Sequence, residues 1–210
     1  MSKIEEIAQA VEAGKVKAIA DLVSAALDEG ADPLQILNQG MVDAMSAVGE
    51  KFQRSEIFVP EMLIAAKTMK KGLEVLKPRL GSGAVTSRGK CIIGTVYGDL
   101  HDIGKNLVAL MIESAGFELL DLGVDVSVDT FINKIKENPE VKIVALSCLL
   151  TTTMPALQKT AEAIKASGLE GFKLIVGGAP VTQDFADKIG ADGYSPDAAT
   201  AVDLAKRLSA

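Results

Sequence analysis

The fold of this chain is decided by two adjoining stretches, Cys91–Val96 (CIIGTV) and Gly98–Gly104 (GDLHDIG). The first is a continuous apolar run of the kind that forms a strand buried on both faces of a sheet. The second is a polar, glycine-bounded segment that leads into an apolar pattern with helical spacing. A buried strand, a loop and a helix in this order begin a β-α-β unit.

The same alternation continues to the end of the chain. Further strands are predicted at Phe117–Leu122, Val141–Leu146, Lys173–Val176 and Asp192–Tyr194. Helices are predicted at about Ile103–Ala115, Val128–Glu137, Met154–Ala166, Gln183–Ile189 and Asp197–Leu208. Five such units predict an α/β fold with a flavodoxin-like, Rossmann-type, doubly wound parallel sheet of five strands, whose ligands lie at the carboxyl ends of the strands.

The first part of the chain has a different spacing of apolar residues. Its apolar residues recur at helical spacing in four segments, with Gly30 ending the second helix and Pro60 opening the fourth. Four amphipathic helices joined by short turns predict a small bundle. Residues 78–89 are rich in Pro, Gly, Ser and Thr and lack apolar periodicity. We therefore expect a helical domain over 1–77, a linker over 78–89 and an α/β domain over 90–210.

Composition excludes several classes of protein. The 210 residues carry a formal net charge of −6, which disfavours nucleic-acid binding. The single histidine and two cysteines offer little from which to build a zinc or iron site, and they form no disulfide scaffold. No apolar stretch approaches the roughly 20 residues that span a bilayer, and no signal peptide is visible. We expect a cytoplasmic protein without a membrane partner.

The only histidine lies in the loop after the first predicted strand. His101 follows Asp99 by two residues, so Asp99 is placed to accept a hydrogen bond from one ring nitrogen. The other nitrogen would then be available as a base or a metal ligand. The alternative is a polar loop in which Asp102 caps the next helix.

Small and hydroxylated residues follow the other strands. Residues 147–153 (SCLLTTT) form either a helix cap or one wall of a polar pocket. Gly177 and Gly178 permit close approach of the backbone to a ligand, or else make a tight turn. Residues 193–195 (GYS) end the fifth strand, again with small residues. Gly94 lies within the first strand, where glycine is costly unless something packs against it.

Common ligands of this fold do not match the chain. It has no G-x-G-x-x-G for a dinucleotide, no G-x-x-x-x-G-K-[ST] for a nucleoside triphosphate, and no nucleophilic serine with triad partners. Cys91 and Cys148 are predicted to be small core residues.

Three short motifs together resemble those of cobalamin-binding domains. Asp99–Gly104 matches D-x-H-x-x-G, Ser147-Cys148-Leu149 matches S-x-L, and Gly177-Gly178 matches G-G. The helical part, with residues 45–52 (MSAVGEKF) and 57–60 (IFVP), resembles the cap domain of the same family. The chain is most similar to the stand-alone corrinoid proteins of methyltransferase systems, and is also similar to the cobalamin-binding module of methionine synthase.

The resemblance implies a cofactor and its ligands. The cofactor would be cobalamin or a related corrinoid, bound base-off with its own benzimidazole displaced from cobalt. His101 would be the lower axial ligand, Asp99 its hydrogen-bond partner, and Thr153 the hydroxyl that extends the pair. Phe52 and Val59 would cover the upper, methyl-carrying face.

The remaining implied contacts surround the displaced base and the corrin ring. Hydroxyls would bond to the base and the corrin side chains, and glycines would leave room for the nucleotide tail. The hydroxyls are those of Ser147 and Thr151; the glycines are Gly94, Gly177, Gly178 and Gly193. The other implied contacts are Gly98, Leu100, Asp102, Ile103, Gly104 and Leu149.

The resemblance also implies a function. The protein would carry a methyl group, cycling between Co(I) and methyl-Co(III), and would be inactive alone. One partner would be a substrate-specific methyltransferase for a methylamine, betaine, methanol or methoxyaryl donor. A second methyltransferase would pass the methyl group to tetrahydrofolate or coenzyme M, and a reductive activator would restore oxidised cobalt.

Three other interpretations remain open. A cobalamin-dependent sensor or regulator would use the same two domains, although it normally carries an additional signalling or DNA-binding domain. A receiver-like α/β domain with an accidental motif would bind no cobalt. A corrinoid-dependent mutase subunit would not need a cap of this type.

Overall fold

The computed structural model of the protein describes residues 2–80 and 88–209. These residues form two compact units: a helical one up to residue 80, to which residues 114–116 are also assigned, and an α/β one that contains the other residues from 88 onward. Of the predicted linker over 78–89, residues 81–87 lie outside the described residues. In the described part of the chain, no helix combines the length and the apolar character needed to cross a membrane.

Capping residues mark the starts of two helices in the helical unit. The elements are α1 (Lys3–Glu12), α2 (Ile19–Asp28), α3 (Pro33–Gln35), a π-helix (Ile36–Val42), α4 (Asp43–Gln53) and α5 (Val59–Leu76). Ser2 and Glu5 form a capping box at the start of α1, and the Asp32 side chain accepts the Leu34 N–H at the start of α3. The predicted third helix is therefore one continuous helical run with π geometry at its centre.

The core of the helical unit consists of the apolar residues that recur at helical spacing. Ile7, Ile19, Met41, Met62 and Leu76 are completely buried. Burying each such side chain contributes about 1.5–3 kcal/mol. The methionine pattern of the sequence thus serves packing inside this unit.

The α/β unit alternates strands and helices as predicted. Its elements are β1 (Lys90–Thr95), α6 (Ile103–Ser114), β2 (Glu118–Asp121), α7 (Val128–Glu137), β3 (Val141–Ser147), α8 (Met154–Ala166), β4 (Lys173–Gly177), α9 (Gln183–Lys188), β5 (Gly193–Ser195) and α10 (Ala198–Leu208). The strands pair in parallel in the order β2-β1-β3-β4-β5. This is the flavodoxin-like order, and it confirms the predicted fold class.

Register places four strand ends side by side. Thr95 pairs with Ser147, Ser147 with Gly177, and Gly177 with Ser195. β2 lies on one side of β1 and β3 lies on the other, with β4 and β5 following beyond β3. Ligands of doubly wound sheets bind at such a switch point, so the loops after β1 and β3 are where a site is expected.

The Asp192 side chain, which lies just before β5, bonds to β4 and to α8. Its carboxylate accepts the Leu174 N–H at 2.8 Å and the Lys165 ammonium at 2.8 Å. Burial alone would raise the pKa of this carboxyl, but the bonds from Lys165 and Leu174 outweigh burial and lower the pKa.

Candidate cofactor site

The His101 ring is held by Asp99 in the loop between β1 and α6. Gly98 turns the loop at a φ of +80°, a conformation that glycine adopts without strain. His101 Nδ1 lies 2.7 Å from Asp99 Oδ1, and the His101 backbone N–H donates to the same oxygen at 3.0 Å. The Asp99 side chain is completely buried, whereas that of His101 is 49% exposed. The ring is therefore fixed on one side and open on the other.

The second oxygen of Asp99 is bound by the loop that follows β3. The Leu149 N–H donates to Oδ2 at 2.7 Å, and the Thr153 hydroxyl donates to it at 2.8 Å. Thr153 occupies the N-cap position of α8 but does not cap the helix with its hydroxyl. The Thr153 hydroxyl therefore holds the Asp99 carboxylate instead of capping the helix.

These hydrogen bonds keep Asp99 ionised and select the tautomer of the neutral His101 ring. Burial would raise the pKa of Asp99, but the bonds donated by Leu149, His101 and Thr153 hold it well below its usual range. A carboxylate only accepts hydrogen bonds, so Nδ1 of the neutral ring must carry the proton. The lone pair of His101 then lies on Nε2, which has no hydrogen-bond partner among the described residues.

Exposed apolar side chains lie next to the histidine in the chain and in the loop after β3 that binds Asp99. Leu100 is 72% and Ile103 is 85% exposed, and Leu149 and Leu150 are each about two-fifths exposed. Large apolar residues grouped on two adjoining loops typically mark a binding surface. Together with an available imidazole nitrogen, they suit a flat, largely apolar ligand that carries a metal.

Packing inside the unit leaves no space for a side chain at four of the predicted glycines. A Cβ atom at Gly94 would lie 2.8 Å from the Phe131 ring, one at Gly193 would lie 2.9 Å from Leu204, and one at Gly177 would lie 3.1 Å from the Ser195 carbonyl oxygen. At Gly178 (φ +127°), a Cβ atom would lie 1.7 Å from the Cys148 carbonyl oxygen. Packing within the unit is therefore one sufficient reason for glycine at these four positions, and their expected contact with the nucleotide tail stays a prediction.

Packing inside the unit does not account for glycine at position 104. It lies in the first turn of α6, is exposed, and would place a Cβ atom with nothing within 4 Å. Glycine in a helix costs about 1 kcal/mol relative to alanine, so an uncrowded glycine points to something that approaches from outside. This open position and the free Nε2 fit the corrinoid that the motifs predict.

The remaining predicted site residues lie outside the group of residues that bind Asp99. Ser147 ends β3 and is partly buried, and Thr151 is exposed beyond it. Asp102 begins the turn into α6 and accepts from the Asn106 side chain at 3.1 Å. Phe52 lies in α4 and Val59 begins α5, both in the helical unit.

Three residues around the site were missed by the sequence analysis. The buried Thr95 hydroxyl donates to the His101 carbonyl at 2.9 Å, and Asp125 Oδ1 accepts the Gly98 N–H at 2.7 Å. The buried Lys105 forms an ion pair with Asp121. A lysine in the first turn of an apolar helix was the one visible sign. Asp125 and Asp121 are 27 and 16 residues from their partners, and Thr95 reaches His101 across an irregular loop.

Cys148 lies beside this network. Its Sγ is 3.2 Å from the Thr153 hydroxyl oxygen, and both cysteines of the chain are buried and unpaired. Burial raises the pKa of the Cys148 thiol and raises that of Cys91 to about 12. Within residues 2–80 and 88–209, no group of three or more His, Cys, Asp and Glu side chains is arranged to hold a metal ion.

Sequence profiles of known families match both parts of the chain. The B12 binding domain matches residues 89–203, and a second profile, also described as a B12 binding domain, matches residues 3–77. The chain is 42% identical to dimethylamine corrinoid protein 1 of Methanosarcina acetivorans, over the full length of both chains. It is 47% identical to trimethylamine corrinoid protein 2 of the same organism, over 86% of this chain and 84% of that protein.

Solved structures show the same relationship. A cobalamin-binding protein from Desulfitobacterium hafniense superposes with a TM-score of 0.80 at 36% identity, covering 98% of each chain. A chain of the methanol:cobalamin methyltransferase complex MtaBC from Methanosarcina barkeri superposes with a TM-score of 0.86 at 27% identity, covering 99% of this chain and 79% of that one. The resemblance drawn from the three motifs is confirmed, and the chain belongs to the corrinoid proteins, the family built on the B12 binding domain.

Proposed function

We propose that this protein is the methyl-carrying corrinoid subunit of a methyltransferase system, with His101 as the lower axial ligand of a base-off corrinoid. The observation that carries the proposal is the His101 ring, which is bound through Nδ1 to buried Asp99 and has no partner at Nε2 among residues 2–80 and 88–209. When bound, the corrinoid supplies a cobalt atom that accepts a methyl group and gives it up again.

The residues of the chain supply orientation and proton control. Asp99 keeps the proton on Nδ1, so that Nε2 presents its lone pair away from the protein. Leu149 and Thr153 hold the other carboxylate oxygen, which prevents Asp99 from rotating away from the ring. Ser147 and Thr151 are proposed to donate hydrogen bonds to the displaced base and to the corrin side chains.

We further propose a methylamine as the methyl donor. The support is the 42–47% identity to proteins named for dimethylamine and trimethylamine, against 27% for the chain of the methanol complex. On this proposal a methylamine methyltransferase loads the protein, and a second methyltransferase unloads it onto a thiol or a pterin. A reductive activator would return oxidised cobalt to the reactive state.

Reconstitution with hydroxocobalamin tests the axial ligand. Wild-type protein is expected to retain one equivalent after desalting, and its reduced Co(II) form to show the electron paramagnetic resonance splitting of one axial nitrogen. His101→Ala is expected to lose that splitting and to regain it when imidazole is added. Because the benzimidazole of the corrinoid could give the same splitting, the wild-type measurement is repeated with ¹⁵N-histidine, and a splitting that the label does not change would refute ligation by His101.

Donor class is tested with partner enzymes. Reduced, loaded protein is mixed with a dimethylamine, trimethylamine or methanol methyltransferase and the matching substrate, and cobalt methylation is followed by visible absorption. Methylation with a methylamine enzyme alone supports the proposal. Methylation with the methanol enzyme alone would contradict it. Stoichiometric binding of the corrinoid without methylation by any methyltransferase would favour the cobalamin-dependent sensor.

A further inference from the structure

The His101 loop has no regular secondary structure between the end of β1 and the start of α6. The Asp99 contact fixes the ring relative to Asp99, but Asp99 belongs to the same loop. The direction of Nε2 therefore depends on how the backbone of residues 98–101 is attached to the rest of the unit. Leu149 and Thr153 hold the Asp99 carboxylate, and two further side chains outside this segment hold its backbone.

Thr95 holds the carboxyl side of the loop. It is the last residue of β1, is completely buried, and donates its hydroxyl to the His101 carbonyl oxygen at 2.9 Å. Its own backbone N–H is already bound to the Gly123 carbonyl at 2.9 Å, so the residue is anchored on the neighbouring strand connection. A β-branched side chain in a strand has little rotamer freedom, which makes this a rigid tether.

Asp125 holds the amino side of the loop. Its Oδ1 accepts the Gly98 N–H at 2.7 Å, and its backbone N–H donates to the Asp99 carbonyl at 3.0 Å. It does so with a φ of +53°, a left-handed conformation that asparagine and aspartate tolerate better than other residues with a side chain. A residue held in a sparsely populated conformation at a site indicates that the surroundings impose it.

We propose that Thr95 and Asp125 are positioning residues that together clamp the backbone of the His101 loop and so set the direction of Nε2 before the corrinoid binds. The clamp spans both sides of Asp99, since one contact reaches Gly98 and the other reaches His101. This inference rests on the proposed axial role of His101. Neither residue touches the cofactor in this scheme, and each acts through the loop.

The chain offers a conservative partner for each disruptive change. Thr95→Val removes the hydroxyl and keeps the shape, whereas Thr95→Ser keeps the hydroxyl. Asp125→Gly removes the acceptor and keeps a residue that adopts positive φ freely, whereas Asp125→Asn keeps both the acceptor and the tolerance of positive φ. Thr160→Val is the matched control, because the buried Thr160 hydroxyl bonds to the Ala156 carbonyl at 2.7 Å within α8.

The first readout needs no cofactor. His101 is the only histidine in the sequence, so untagged full-length protein labelled with ¹⁵N-histidine gives one imidazole spin system. Wild type, Thr95→Ser, Asp125→Asn and Thr160→Val are expected to show one sharp signal with the proton on Nδ1. Thr95→Val and Asp125→Gly are expected to show exchange broadening or a mixture of tautomers.

The second readout is binding of hydroxocobalamin. Loss of one such hydrogen bond predicts a dissociation constant raised about two- to tenfold in Thr95→Val and in Asp125→Gly, with recovery in the conservative variants. Wild-type imidazole signals and affinity in both disruptive variants would overturn the clamp, as would an equal loss in Thr160→Val. Because the imidazole signal is measured without cobalt, a failure of wild type to bind the corrinoid refutes only the proposed function.

Discussion

Removal of the Asp99 carboxylate is the perturbation with the clearest expected size. Four donors meet its two oxygens: the His101 N–H and Nδ1–H on one, and the Leu149 N–H and the Thr153 hydroxyl on the other. Asp99→Ala deprives all four of a charged acceptor. The cost is not four equal losses, because the donors differ in what else they can bind.

Two of the four donors have alternatives. The Thr153 hydroxyl can donate to the Leu150 carbonyl, which already lies 3.0 Å away, and the half-exposed His101 ring can bind water. The two backbone N–H groups lose bonds to a charged group, worth about 1.5–3 kcal/mol each, and relief of the carboxylate's burial offsets part of this. We therefore expect Asp99→Ala to lose about 2–4 kcal/mol and Asp99→Asn, which keeps one acceptor oxygen, about half as much.

Urea unfolding followed by tyrosine fluorescence measures this loss. The sequence has no tryptophan, and both tyrosines, Tyr97 and Tyr194, belong to the α/β unit, so the signal reports that unit. The midpoint is expected to fall in the order wild type, Asp99→Asn, Asp99→Ala, with an unchanged slope. The ¹⁵N-histidine signal is expected to shift or broaden in Asp99→Ala.

Asp192→Ala is the control, since Asp192 also accepts a backbone N–H but lies away from His101. It is expected to lower the midpoint and to leave the histidine signal unchanged. Asp99→Ala with wild-type stability and a wild-type imidazole signal would show that Asp99 does not hold the ring.

Four further predictions concern other parts of the α/β unit. Asp192→Asn is expected to lower the free energy of unfolding by about 1–2 kcal/mol at pH 7. Because folding lowers the pKa of this carboxyl, the difference between the two proteins should disappear as the pH falls below about 4. Acid titration of the stability of both proteins would show this. Gly178→Ala is expected to destabilise the unit by more than about 4 kcal/mol, because its Cβ would overlap the Cys148 carbonyl. Gly104→Ala should preserve or slightly raise stability but weaken hydroxocobalamin binding; a loss of stability in denaturation would contradict the open position seen here. Both thiols, buried and with raised pKa values, should resist a thiol reagent at pH 8 until urea unfolds the protein, and rapid labelling of the native protein would contradict their burial.

Much of the fold follows from local sequence patterns. Continuous apolar runs such as Val141–Leu146 predict buried parallel strands, and the observed strand β3 differs from that prediction by one residue. Capping residues and prolines place helix starts to within a residue or two, as at Asp32 and Pro60. The π-helical run Ile36–Val42 was not predicted, because its apolar spacing is close enough to that of an α-helix to be read as one.

The sequence by itself determined the kind of site, a histidine held by an aspartate in a loop between a strand and a helix. These three segments are contiguous, and the spacing of two residues allows Asp99 to contact His101. Only the tertiary structure decided what holds Asp99. Leu149 and Thr153 are 50 and 54 residues away and meet it because Thr95 and Ser147 end neighbouring strands at the same level. The structure likewise separated the glycines that packing requires from Gly104, since a one-dimensional pattern does not show which atoms fill the space beside a missing side chain.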